Sequence, residues 1–248
     1  MNESTLIRNS EECDPSCDEQ RPTRQERDQT LGEEVANAVT HGLGAILAIA
    51  CLAIGVTCAA IRGDVWSVVS ISIFGATMFF LYLSSTLYHA IPFPRAKAVL
   101  NVFDHSTIYL LIAGSYTPFC LVGIRPYSPG WAWSIFGVVW AIAIAGIFFQ
   151  CYCVNRYPIL STTSYLVMGW IVLIAIYPML KAMGVAPVLW IAFGGIIYSL
   201  GVIFYAMKYT PYMHAVWHLF VLGGTAVHYG VMLYYLVLGY GKALPVPL

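Results

Sequence analysis

The residues in this chain most suited to chemistry are histidines set in a segment otherwise apolar enough to cross a bilayer. His214 and His218 are four apart, and in a helix that spacing stacks both imidazoles on one face with roughly 5–6 Å between Cβ atoms, close enough to share one metal ion. His228 lies ten residues beyond His218, which at about 1.5 Å of rise per residue puts it some ~15 Å further along the helix and out of reach of that ion. Two more groups of the right type sit in other apolar runs: His89, with Ser85 one helical turn before it, and Asp104 with His105. His41 lies at the edge of a further run.

What elements would position them? The chain has 248 residues, 59% hydrophobic and 10% charged, far from the composition of a soluble domain. The composition predicts an all-α polytopic membrane protein. Seven runs approach the roughly 20 residues needed to cross a hydrocarbon core: 42–61, 66–90, 102–124, 131–153, 161–180, 185–207 and 213–238. The loops between them are short, so sequential helices are antiparallel neighbours. Small residues recur inside the runs, as close packing in lipid requires, and Pro118 and Pro178 predict local kinks. Residues 1–32 are acidic and aperiodic and read as a disordered tail, leaving 33–248 as one transmembrane domain. The tail shows no apolar core before a cleavage site, so the first helix is expected to serve as the insertion signal.

Net charge is zero, which points away from nucleic acid. The seven cysteines give no disulfide framework. Cys151 and Cys153 read as buried thiols packing as small hydrophobes, and Cys13 with Cys17 as a weak metal or redox motif. Placing the amino terminus in the cytoplasm assigns Arg8, Arg21, Arg24, Arg27, Arg95, Lys97, Arg156 and Lys208 to the inner side, against Arg62, Arg125, Lys181 and Lys242 outside. That excess orients the bundle with its amino terminus inside and its carboxy terminus outside, in the cell membrane.

Helix polarity alternates, so the end of an even-numbered helix and the start of an odd-numbered one share a membrane face. His89, Asp104, His214 and His218, from three helices, therefore fall at one depth near the inner side, with His41 and His105 beside them. Ionisable groups at membrane depth are costly and mark function. Three neutral imidazoles suit zinc, which in catalytic sites takes three protein ligands and keeps a fourth position open. His89, His214 and His218 are the expected ligands. Asp104 is expected nearby, orienting bound water or taking its proton. Ser85 either holds that water or an oxyanion, or bonds its own helix carbonyl four residues back. His105 and His228 read as structural, and Tyr127, Trp131 and Trp133 as an interfacial aromatic belt.

Three stretches carry a resemblance: Ser85–Thr86–Leu87–Tyr88–His89, the run from Phe103 and Asp104 to Pro118, and His214–Ala215–Val216–Trp217–His218. With Glu33, Glu34, Asn37, Thr40, His41 and Gly42 ahead of them, they resemble the signature motifs of the hemolysin III family, the bacterial branch of the progestin and adipoQ receptor (PAQR) superfamily. The resemblance covers the chain from about Glu33 onward. It implies a seven-helix bundle with zinc near the cytoplasmic face on His89, His214 and His218, beside Asp104 and Ser85. Adiponectin-receptor relatives and the more distant alkaline ceramidases imply zinc-dependent hydrolysis of ceramide-type lipid amides, whereas the bacterial branch implies cytolysis or membrane lipid homeostasis. The short loops leave no large extracellular domain expected to receive a protein hormone. Two readings therefore stand: a zinc-dependent hydrolase whose partners are membrane lipids, and a non-enzymatic cytolysin or membrane-state sensor with structural zinc.

Overall fold

The computed structural model of the protein describes residues 28–62 and 64–239. Among these it is all helix, with seven stretches long and apolar enough to cross a membrane. They are α1 (Leu31–Arg62), α2 (Val65–Ala90), α3 (Pro94–Pro118), α4 (Pro129–Cys153), α5 (Pro158–Trp170) continued by α6 (Ile176–Met183), α7 (Val185–Ala206) and α8 (Met213–Val231). The protein is a multi-pass membrane protein. Consecutive helices pack as neighbours, and α8 closes the ring by packing on both α7 and α1. In its most apolar stretch the third span, Pro94–Ile124, is 83% buried, against 28% for α1 and 17% for the α5–α6 span, so the third span is the central one and the others turn broader faces to lipid. On α1 that outward face is Val35, Val39, Leu43, Ile46 and Leu47, all exposed at the spacing of one helical stripe.

Two spans begin well before hydropathy predicts. The third begins at Pro94 rather than 102, its proline supplying a helix start that needs no amide donor. The first begins at Leu31 rather than 42, adding about three turns. Those turns are polar, yet Glu33, Asn37 and His41 are buried because their i, i+4, i+8 spacing sets them on one inward face. Thr30 starts the helix: its hydroxyl oxygen accepts the Glu33 amide at 3.3 Å, while the Glu33 carboxylate accepts the Thr30 amide at 2.9 Å, a reciprocal cap.

The expected kinks take specific forms. Pro118 ends α3, and Phe119–Ile124 continue it as a wider π-type turn. Pro178 lacks the amide that would bond Ile174, and the chain tightens into a 3₁₀ turn at Ile171–Ala175 between α5 and α6. Close helix contact rests on small residues: a Cβ at Gly114 would overlap Thr77, and one at Gly194 would overlap His228. Tyr127, Trp131 and Trp133 are exposed at the end opposite the histidines. Trp133 meets Trp66 edge-on at 6.1 Å, and Arg125 lies 4.0 Å over Trp66, an arrangement fitting a lipid–water interface.

The cysteine expectation needs correcting. Cys151 is exposed and Cys153 half-buried, both as free thiols, because the last turn of α4 presents them outward rather than to the core. Cys13 and Cys17, most of the acidic tail and both termini lie outside the described residues.

Candidate metal centre

The bundle brings His89 from α2 together with His214 and His218 from α8. One ring nitrogen from each lies within 4.8 Å of the others. Ligands on one tetrahedral zinc at about 2.0–2.1 Å stand some ~3.4 Å apart, so short side-chain rotations close the gap. The rings already face each other, with centroids 5.1 Å apart for His89–His214, 5.3 Å for His89–His218 and 4.6 Å for His214–His218.

For His89 and His218, which nitrogen the ring presents is set by α1. The Nδ1–H of His89 donates to Glu34 Oε2 at 2.7 Å, which leaves the lone pair on Nε2. That Nε2 is buried and has no protein partner among the described residues. His218 Nδ1 lies 3.3 Å from the Asn37 carbonyl and 3.1 Å from Thr40 Oγ1. A carbonyl only accepts, so Nδ1 carries the proton here as well and the lone pair falls on Nε2. The Thr40 hydroxyl is committed as a donor to the Ala36 and Asn37 carbonyls, both at 2.9 Å. A buried, unpartnered imidazole acceptor such as His89 Nε2 demands an explanation, and its grouping with His214 and with His218, whose lone pair also falls on Nε2, fits a metal that takes neutral imidazoles. On this observation the residues suit zinc.

A cavity of about 120 Å³ opens from the histidines into the bundle, walled by α1, α2, α3, α5, α7 and α8. His41, Ser85, Asp104, His105, His214 and His218 line its polar end, and mostly aliphatic and aromatic side chains, with Ser115 and Ser199 among them, line the remainder as far as His228. Asp104 stands on this wall outside the trio of mutually close ligand atoms. Ser85 is fully buried, and its Oγ has no partner among the described residues. The backbone bond that was the alternative for Ser85 belongs instead to its neighbour: Ser84 Oγ bonds the Leu81 carbonyl at 3.0 Å and Thr107 Oγ1 at 2.9 Å.

The other histidines differ in kind. His105 Nδ1 bonds the Asn101 carbonyl at 3.0 Å, and His228 Nε2 the Ile191 carbonyl at 3.0 Å, with edge contacts to Phe119 and Tyr198. His41 is buried and stacks on His218 at 3.5 Å between centroids and 11° between planes, with both ring nitrogens unpartnered among the described residues. Sequence reasoning assigned no task to Glu34, Asn37 or Thr40. The available signal was their placement on the inward face of a helix continuous with the first span.

A seven-helix membrane protein with a three-histidine cluster at one end of a largely apolar cavity is the class that this fold and site define. Residues 29–229 match the model of the haemolysin-III-related family, and the chain belongs to that family. It is 45% identical over 208 residues to the hemolysin-3 homolog of Bacillus subtilis (strain 168), covering 84% of this chain and 96% of that one. The hemolysin-3 of Bacillus cereus is 43% identical over 210 residues, covering 84% and 94%. More distantly, the human monocyte to macrophage differentiation factor is 29% identical over 214 residues, covering 84% and 86%.

Proposed function

We propose that this protein is a zinc-dependent membrane hydrolase that cleaves a lipid amide of the ceramide type, with the histidine-lined end of the bundle toward the cytoplasm. The observation that carries this reading is the buried, unpartnered Nε2 of His89, gathered with His214 and His218 beside the polar mouth of an apolar cavity. When bound, zinc supplies a Lewis acid that polarises a scissile carbonyl and acidifies water. The chain's own residues supply the rest. The Asp104 carboxylate accepts the proton of the attacking water and passes it toward the leaving amine. Ser85 Oγ, with no competing partner, is free to donate to the carbonyl oxygen as negative charge builds there. The aliphatic and aromatic walls exclude bulk water and receive the acyl chain. From His214 to His228 the cavity follows α8 for about 21 Å, enough for an acyl chain that in a bilayer spans roughly 15 Å, half the hydrocarbon core. Substrate enters sideways from the inner leaflet, its headgroup held at the cytoplasmic side by the polar mouth.

The names of the two Bacillus relatives raise a second reading, cytolysis through a pore. Away from the histidine end, the membrane-depth hydroxyls of Thr77, Ser115, Thr117, Ser199 and Thr225 bond carbonyls of their own helices. Such hydroxyls do not make a hydrated path, and this favours the hydrolase.

The test is fatty-acid release from a panel of ceramides, N-acyl amines and lysolipids by purified zinc-loaded protein. Asn at position 104 keeps the shape but cannot accept the proton, so Asp104→Asn retains its zinc and loses about 10²- to 10⁴-fold in turnover. A zinc-replete wild-type protein that cleaves nothing in the panel, together with a fully functional Asp104→Asn in cells, would sink the hydrolase in favour of a scaffold or sensor.

A further inference from the structure

Glu34 does something that no motif reading assigns to it. Its carboxylate reaches from α1 to two other helices: Oε2 accepts His89 Nδ1–H at 2.7 Å, and Oε1 accepts Lys97 Nζ of α3 at 2.8 Å. Lys97 is itself anchored, donating to the Tyr88 carbonyl at 3.1 Å with its ammonium 4.8 Å over the Tyr88 ring. Each carboxylate oxygen is thus held by a different helix, and the side chain is only 21% exposed.

We infer that Glu34 is a positioning residue for the metal centre, fixing the tautomer and orientation of His89 so that Nε2 faces the ligand trio. The inference rests on the reading of His89, His214 and His218 as metal ligands. An imidazole proton hydrogen-bonded to a carboxylate locks the ring and increases the basicity of the opposite nitrogen, and losing such a partner typically weakens metal binding about 10- to 100-fold. His89 and His218 are served differently. His218 relies on a neutral carbonyl and a hydroxyl, so the anionic influence enters the centre through His89 alone among the contacts described. Lys97 balances the charge that Glu34 would otherwise bring to membrane depth, and its part is in folding rather than affinity.

The experiment is chelator competition for zinc on the purified full chain, in parallel with melting of the metal-free protein and ¹⁵N NMR of the His89 ring. Glu34→Leu removes both the acceptor and the charge: zinc affinity falls about 10- to 100-fold while stoichiometry at saturating zinc stays at that of wild type. The metal-free His89 ring also loses its preference for the Nδ1–H form. Glu34→Gln keeps an acceptor and gives a smaller loss, with the tautomer retained. Lys97→Met lowers the melting temperature of the metal-free protein and leaves zinc affinity within about threefold of wild type, since the His89 contact is untouched. Should Glu34→Leu fail to fold, the contrast between Glu34→Gln and Lys97→Met still decides. If the two change melting alike and neither changes affinity, Glu34 is an ordinary ion-pair partner and the inference falls. A wild-type chain that takes up no zinc overturns the metal-centre reading and this inference with it. A wild-type chain that binds zinc, with Glu34→Leu binding equally tightly, overturns this inference alone.

Discussion

Replacing His218 by alanine separates what the imidazole does for packing from what it does for the metal. The ring is 1% exposed, stacked on His41 and hydrogen-bonded through Nδ1 to α1. Without metal, the substitution removes one hydrogen bond and leaves a void of imidazole size. The hydrogen bond is worth about 1 kcal/mol, and truncations of comparable buried side chains cost about 2–5 kcal/mol. Its former partners remain satisfied, because Thr40 bonds the Ala36 and Asn37 carbonyls. With metal there is a second contribution. The ligands come from α2 and α8, so an ion bound only by the folded chain ties those helices together, and free zinc at 100 times Kd stabilises by about 2.7 kcal/mol. At about 2–4 °C per kcal/mol for a chain of this size, wild type should melt roughly 5–11 °C higher with zinc than without. His218→Ala should melt lower in both conditions and show no zinc response. His228→Ala, a buried histidine outside the trio, should also melt lower yet keep the full response. The assay is thermal unfolding in detergent, with and without zinc. An equal zinc shift in wild type and His218→Ala, or its loss in His228→Ala, would refute the reasoning.

Two further outcomes follow from the same account. A reporter fused before Met1 should be cytoplasmic and one fused after Leu248 external, as seven crossings require; finding both on one side means a span has been miscounted. Gly194→Ala should drive its new methyl into the His228 ring and cost about 1–3 kcal/mol by overpacking, lowering the melting temperature while zinc stoichiometry is unchanged. A silent Gly194→Ala would show that α7 and α8 do not meet as described.

The number of crossings and the ends of several were legible from hydropathy, because a run such as 66–90 is apolar enough over its whole length to cross the membrane wherever its polar side chains point; α2 runs Val65–Ala90. The start of α1 was not. Averaged polarity hides a one-sided pattern, and the turns carrying Glu33, Asn37 and His41 fall outside the apolar run until their shared buried face is seen. The meeting of His89 with His214 and His218 followed from helix alternation, a rule that gives depth. What the rule lacks is azimuth. It gave no sign that Glu34 would reach His89, 55 residues away, or that Thr40 would lie against His218, 178 residues away. Ring stacking such as His41 on His218 depends on the rotation of α1 about its axis, which no short-range pattern encodes. Cys151 and Cys153 failed for the same reason: apolar surroundings in sequence do not distinguish a core face from a lipid face.

X-ray absorption at the zinc edge on the purified protein addresses the metal centre most directly. The account predicts about one zinc per chain with three imidazole nitrogens at about 2.0–2.1 Å, falling to two or to no bound metal in His214→Ala. A wild-type chain with no zinc, or with zinc held by sulfur or by water alone, would contradict it.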